Sequence, residues 1–462
     1  MKSFRALARY LAPYRWAALA APLLMALEVA MDLLQPRLLQ TIVDVAIANR
    51  DLALVGRTGA IMIGAALTGA VGGIGCTIFA TIAALHFGAD IRGDLFRKVQ
   101  ALSGPDLDRL ETGRLVTRLT NDVDQVQEAA AMLMRILVRA PLLVIGSFIM
   151  AVLTAPTLSL LIVAICPLAI AAFLSMTRKG HDLFVAVQDR LDLVNVALQE
   201  NLAGARVVKA FVRSQREIAR FGTVNEDLME TGVRASSLVA GMGPLMMLLV
   251  HLGVVAALWW GGFLVHGGKM QVGQILAFTN YLTQMLASLM MVGMLLMQLS
   301  RAGASADRIL EVLETEPAVC DVPDARPGTV VTRGRIEFDN VEFSYGGAGS
   351  QPVLRGVSFV IEPGECVVIL GATGSGKSTL VNLITRLYDV TAGRILVDGV
   401  DVREMRQEEL RAAIGVVPQE TVLFSGSVRD NIRFARPEST DAEIEEAARL
   451  AQARAFVEAL PG

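Results

Sequence analysis

Four stretches of this chain contain no Asp, Glu, Lys or Arg: residues 58–89, 140–177, 235–268 and 270–300. A helix crossing a bilayer needs ~20 apolar residues, so residues 140–177 are too long for one span and suit two. The break falls at Thr154-Ala155-Pro156-Thr157, where proline and small polar residues favour a tight turn. A further apolar segment begins near Trp16, which brings the expected number of spans to six. Long buried helices of a soluble protein fail on length. The hydrophobic fraction of 53% points the same way.

The polar segments between these runs set an orientation. Arg92, Arg97, Lys98, Arg109, Arg114 and Arg118 follow the second span, and Arg178, Lys179, Arg190, Arg206, Lys209, Arg213, Arg216 and Arg220 follow the fourth. The short connections opposite hold only Arg50, Arg57 and Lys269. The basic loops are therefore expected in the cytoplasm, and an even number of spans puts both termini there, in a cytoplasmic (inner) membrane. No cleavable signal peptide is evident. Residues 105–129 and 188–228 mix helical apolar spacing with charge, so the spans should continue as helices below the bilayer. Short connecting helices are expected at the tips, residues 113–122 and 211–221.

After residue 313 the pattern changes. Residues 314–334 carry three prolines and little periodicity, as a linker would. Strand-like alternation begins at residues 335–338 and returns at 353–361. Residues 393–402 read as a strand pair around the turn dipeptide Asp398-Gly399. Residues 414–417 read as a short buried strand, and a capped helix is expected from Thr440 to Leu460.

Inside this region the apolar run Cys366-Val367-Val368-Ile369-Leu370 leads into Gly371-Ala372-Thr373-Gly374-Ser375-Gly376-Lys377-Ser378-Thr379. A buried strand, a glycine-rich turn and a helix over residues 378–388 form the expected phosphate loop. Gly374 and Gly376 free the backbone N–H groups to wrap phosphates. Lys377 is expected to reach the β- and γ-phosphates of a bound nucleotide and Ser378 to hold Mg²⁺, with the helix start adding partial positive charge. The net charge of −3 gives no reason to expect a nucleic-acid partner. The four cysteines are scattered, with neither metal-site nor disulfide spacing.

With these residues in view, the chain resembles ATP-binding cassette (ABC) exporters of the half-transporter type. The expected fold is a membrane all-α six-helix exporter domain (1–313), a linker (314–334) and an α/β P-loop ATPase domain (335–462). Val341-Glu342-Phe343-Ser344-Tyr345 is similar to the family's aromatic loop, which implies that Tyr345 stacks on adenine. Residues 417–424, Val-Pro-Gln-Glu-Thr-Val-Leu-Phe, resemble the glutamine loop, which implies that Gln419 contacts Mg²⁺ or the attacking water. Thr112-Gly113-Arg114-Leu115 with Arg118 to Asp122 resembles the first coupling loop, and Glu200-Asn201-Leu202 through Val207-Val208-Lys209-Ala210-Phe211 resembles the approach to the second.

The resemblance implies a dimer in which two nucleotide-binding domains close over ATP and rock the permease between inward-open and outward-open forms. A second half-transporter and membrane lipid are the implied partners, and the wording slightly favours a bacterial heterodimeric multidrug exporter. The chain reaches Leu460-Pro461-Gly462 without a signature segment, a second Mg²⁺-binding carboxylate or a switch histidine, as expected of a fragment of a longer transporter. Two readings follow: a translocating ATPase half, or an ATP-binding, poorly hydrolysing regulatory half. The substrate is left open among drug, lipid and peptide. Glu28 and Asp32, four apart on the first span, either line a cavity that attracts cationic or amphiphilic compounds or form a structural pair satisfied by neighbouring helices.

Overall fold

The computed structural model describes residues 2–321, 331–346, 349–419 and 421–460. The chain divides into two compact units, one of residues 1–102 and 106–317, the other of residues 103–105 and 318–462. Part of the expected linker, residues 322–330, lies outside the described residues, as does residue 420 of the glutamine loop.

The first unit is built on six long helices: α1 (Arg15–Thr41), α2 (Leu52–Ala101), α3 (Val123–Thr154), α4 (Ser159–Ala203), α5 (Ser214–His266) and α6 (Val272–Glu314). All six are long and apolar enough to cross a membrane. The 50 residues of α2 rise about 75 Å, more than twice a hydrocarbon core of about 30 Å, so charged continuations beyond the bilayer follow from length. The α3–α4 turn falls at residues 155–158, where the Thr-Ala-Pro-Thr segment predicts it.

Helices pair along small residues. α1 lies against α2, where a Cβ on Gly72 would stand 2.9 Å from the Leu24 carbonyl oxygen, so only glycine permits the approach. α3 packs along α6, and α4 along α5. Ala277, Phe278, Tyr281, Leu282 and Met285 of α6 are buried in one core with Ile162 of α4 and Leu249 of α5. The Tyr281 hydroxyl donates to the Leu33 carbonyl at 2.9 Å, tying α6 to α1. A second core joins Phe87, Ile91 and Leu95 of α2, Val123 and Val126 of α3, and Ala306, Ile309 and Val312 of α6. Single large apolar side chains such as Leu67, Leu153, Leu160 and Trp259 point outward, as suits lipid.

The connecting helices are displaced from the expected tips. They span Gly104–Leu110 and Ala205–Ala210, whereas residues 113–122 already belong to the next ascending helix. The second expected tip, 211–221, is a turn with Val212 at φ 53 followed by the start of α5. Charge pattern marks a solvated helix end without distinguishing the turn from the turns of helix beside it.

The second unit carries a four-stranded antiparallel sheet in the order β2-β1-β3-β4, from β1 (Ile336–Phe343), β2 (Leu354–Ile361), β3 (Ala392–Val397) and β4 (Val400–Asp401). Phe338 pairs with Phe359 on one side and Ile395 on the other, and the two phenyl rings stack at 4.5 Å. The β3–β4 hairpin turns on Asp398 (φ 49) and Gly399 (φ 83), both left-handed, as a two-residue hairpin turn of this kind requires. Helices α7 (Lys377–Ile384), α8 (Val428–Arg433) and α9 (Asp441–Leu450) follow, with short helices at Gln407–Ala412 and Arg454–Glu458.

Four expectations in this unit are corrected. Residues 366–370 form no ladder, and Val368 (72% exposed) and Leu370 (87%) are open to solvent. Residues 414–417 likewise form no strand, with Val416 and Val417 exposed. Apolar runs of this kind become strands only beside a neighbour that takes their N–H and C=O groups, and no described strand lies along either. The helix after the phosphate loop ends at Ile384, before Arg386 at φ 52. The final helix opens on the expected Thr440–Glu443 capping box but ends at Leu450, because Gln452 sits at φ 57, and resumes only at Arg454–Glu458.

Candidate nucleotide site

The loop Gly371–Thr379 turns directly into α7. Gly374 (φ 83) and Gly376 (φ 93) adopt the left-handed conformation that side chains disfavour. At Gly376 a Cβ would also stand 2.8 Å from Leu354 Cδ2 of β2, so this residue is glycine for both torsion and packing. The Ser375 N–H donates to the Ala372 carbonyl at 3.2 Å, closing the turn. The Lys377 ammonium donates to the carbonyls of Gly371 (3.0 Å) and Ala372 (2.8 Å), which folds its charge back over the loop. Thr373, Gly374, Ser375 and Ser378 are exposed, whereas Thr379 is buried.

Tyr345 is carried just past the end of β1. Its hydroxyl shares a hydrogen bond of 2.9 Å with Thr379 Oγ1, and its ring meets Phe343 and Tyr388 edge-on at 4.9 and 5.3 Å. Half of Tyr345 remains exposed, so the ring is held at its edges and offered beside the loop. The fold thus brings Tyr345 to the phosphate-loop helix. Gln419 is exposed and makes no hydrogen bond among the described residues.

The stretch after Gln419 is organised by a residue whose role is not evident from sequence. Asn431 of α8 accepts from the Phe424 N–H at 2.8 Å and donates to its carbonyl at 2.9 Å, clasping the turn. Phe424 stacks on Phe434 at 4.5 Å, and Ser427 with Asp430 forms a capping box on α8. An asparagine four residues after a Ser N-cap was the available signal.

Elsewhere, burial raises the Asp398 carboxyl, but backbone N–H groups of Arg333, Arg335, Thr332 and Gly334 overcome it and hold the group at about 2. Asp398 thereby anchors the approach to β1. Arg386, only 2% exposed, is held by Asp389 at 3.0 Å and donates to the Met405 and Cys320 carbonyls.

The residues fit a nucleotide polyphosphate: two left-handed glycines, a lysine folded onto the loop, and an exposed serine at a helix start. Among the described residues, no group of three His, Cys, Asp or Glu side chains could hold a metal alone. A divalent ion here would need the oxygens of the phosphates as well as Ser378.

In the membrane unit, Glu28 and Asp32 share one partner from a different helix. Arg139 of α3 hydrogen-bonds Glu28 and reaches Asp32 at 3.1 Å. Both carboxylates also line a cleft of about 530 Å³ between α1 and α2, with Gln35, Gly69, Gly73 and Ile74. Arg139 stands just before the charge-free run that starts at residue 140, so it reads in sequence as a boundary residue.

Comparison with known proteins agrees with this architecture. Residues 19–289 match the family described as ABC transporter transmembrane region, and residues 354–460 match the ABC transporter family. The chain is 40% identical over 454 residues to the uncharacterized ABC transporter ATP-binding protein YfiB of Bacillus subtilis, covering 98% of this chain and 78% of that protein. It is 36% identical to a fatty acid ABC transporter ATP-binding/permease protein of Mycobacterium bovis, over 80% of this chain and 58% of that one. It is 34% identical to a multidrug efflux ATP-binding/permease protein of Mycobacterium tuberculosis, over 80% and 31%. The chain belongs to the ABC transporter family, as a six-helix transmembrane region fused to an ATP-binding domain.

Proposed function

We propose that this protein exports a hydrophobic or amphiphilic compound (a drug, lipid or peptide) across the cytoplasmic membrane, as one half of a dimer driven by ATP. The observation that carries the reading is the phosphate loop with Tyr345 beside it, fused behind six span-length helices. Gly371, Thr373, Gly374, Ser375, Gly376, Lys377, Ser378 and Thr379 hold the phosphates, Tyr345 takes the adenine, and Ser378 with Gln419 takes Mg²⁺. ATP supplies binding energy that differs between the inward-open and outward-open forms, and hydrolysis resets the cycle. The basic loops support a cytoplasmic location for both termini. The relatives' names, fatty acid for one and multidrug efflux for another, support an amphiphilic substrate. Glu28 and Asp32, held by Arg139 against a cleft, are the residues proposed to meet a cationic headgroup. A partner half-transporter of a different sequence is the proposed second subunit.

The test is reconstitution of the full-length protein in liposomes, alone and with the product of any adjacent transporter gene, followed by Mg²⁺- and ATP-dependent uptake of ethidium. Uptake that Lys377→Ala abolishes is expected. Uptake that survives this change would sink the reading. Single-turnover hydrolysis by the same protein separates a hydrolysing half from a regulatory one.

A further inference from the structure

α6 is the helix that continues along the chain toward the ATP-binding domain, and its last turns carry Arg308 and Glu311. Both reach inward to a single turn of wider π-helix, Arg118–Asp122, at the foot of α3. Arg118 Nη2 donates to Glu311 at 2.7 Å. Arg308 Nε donates to Asp122 Oδ2 at 2.8 Å, and its Nη2 reaches the other carboxylate oxygen. Arg118 and Asp122 are buried, at 7% and 3% exposed, while Arg308 and Glu311 enter from the open side. Beside them Ala306, Ile309 and Val312 belong to the lower apolar core, whose contacts carry no charge to tell one register from the next.

The order of the charges is what discriminates. Residue 118 faces 311 and residue 122 faces 308, so the two segments run antiparallel with signs alternating on each. Sliding α6 by one turn in one direction sets Arg308 against Arg118. Sliding it the other way sets Glu311 against Asp122. Each slipped register meets a like charge at a buried site, where repulsion is weakly screened. Buried ion pairs add little stability over apolar replacements, and setting register is their best-attested use.

We infer that Arg118, Asp122, Arg308 and Glu311 are a register key: positioning residues that hold α6 against the foot of α3, so that motion at the ATP-binding end moves both helices together. The inference does not depend on which substrate is carried.

The test uses spin labels on Arg114→Cys and Glu314→Cys in the full-length protein, with Cys76, Cys166, Cys320 and Cys366 replaced by serine. One 114–314 distance is expected, and it should persist when Mg·ATP and vanadate are added. Exchanging one pair, Asp122→Arg with Arg308→Asp, keeps both contacts attractive but makes the slipped registers attractive too. A second population displaced by about 5 Å, one helical turn, is expected. Exchanging all four charges (Arg118→Glu, Asp122→Arg, Arg308→Asp, Glu311→Arg) restores the alternation and should restore the single distance. If the two-charge exchange does not reach the membrane, the neutral pair Asp122→Asn with Arg308→Gln should broaden the distribution instead. A single unshifted distance in the two-charge or neutral variant would overturn the inference, as would splitting of the unexchanged protein's distance by Mg·ATP and vanadate.

Discussion

The Tyr345 hydroxyl bonds Thr379 Oγ1 at 2.9 Å, joining the segment after β1 to the second residue beyond the phosphate-loop lysine. One side chain thus ties the proposed adenine platform to the loop that holds the phosphates. The two proposed roles of Tyr345, stacking and tethering, separate by mutation. Tyr345→Phe keeps the ring and removes only the hydroxyl contact, so ATP affinity should change less than about threefold, within the ~1 kcal/mol of one hydrogen bond. Tyr345→Ala should weaken binding by about 1–3 kcal/mol, the worth of one base–aromatic stack. Titration with a fluorescent ATP analogue reads both. Equal losses in the two variants would show that the ring does not stack.

Gly376→Ala should destabilise the ATP-binding domain as well as weaken nucleotide binding. The residue sits at φ 93 with Leu354 Cδ2 at 2.8 Å from the added methyl, and strained backbone of this kind costs about 1–3 kcal/mol. A lower melting temperature without ATP is the expected reading. An unchanged one would mean that the loop relaxes at little cost.

Arg139→Ala should be more damaging than removal of the acids it serves. It leaves Glu28 and Asp32, both half-buried, facing each other across one helical turn without a counter-charge, at a cost below the ~3–5 kcal/mol of a fully buried broken pair. The triple change Glu28→Gln, Asp32→Asn, Arg139→Gln removes all three charges and should recover most of the loss. Melting of the detergent-solubilised protein compares them. A triple variant no better than Arg139→Ala would argue that packing, not charge, is what Arg139 provides.

Asp398 predicts a pH dependence with a definite sign. Its folded value, about 2, lies below the ~3.9 of an unfolded aspartate, so its contribution is present in full above pH 4 and fades as pH falls toward 2. Discounted for partial solvent screening, that contribution is on the order of 1 kcal/mol. Asp398→Asn should therefore lower the melting temperature at pH 6–7, and the gap from the unchanged protein should narrow by pH 3. A gap that widens on acidification would contradict the assignment.

The membrane half was legible because a span is a one-dimensional requirement. Apolar length and the Thr154–Thr157 break suffice for it, and all six helices lie where the runs predict. Local chemistry carried equally well: the Asp398-Gly399 turn and the Thr440 capping box depend on residues one to three apart. Whether residues 366–370 become a strand depends on a neighbour distant in sequence, and there the apolar pattern misleads. The partner of Glu28 and Asp32 lies more than a hundred residues away, on a helix whose facing side is set by packing.

Six spans, their basic loops and a glycine-rich loop able to take phosphate can be read from the residues alone, because length, charge and torsional freedom are properties of short segments. Folding brings Tyr345 against Thr379, sets Arg139 on two carboxylates, and joins Arg118 and Asp122 to Glu311 and Arg308. Each of these joins residues far apart in the chain, and the geometry of a polar contact is fixed by how helices and strands pack, which no local pattern records.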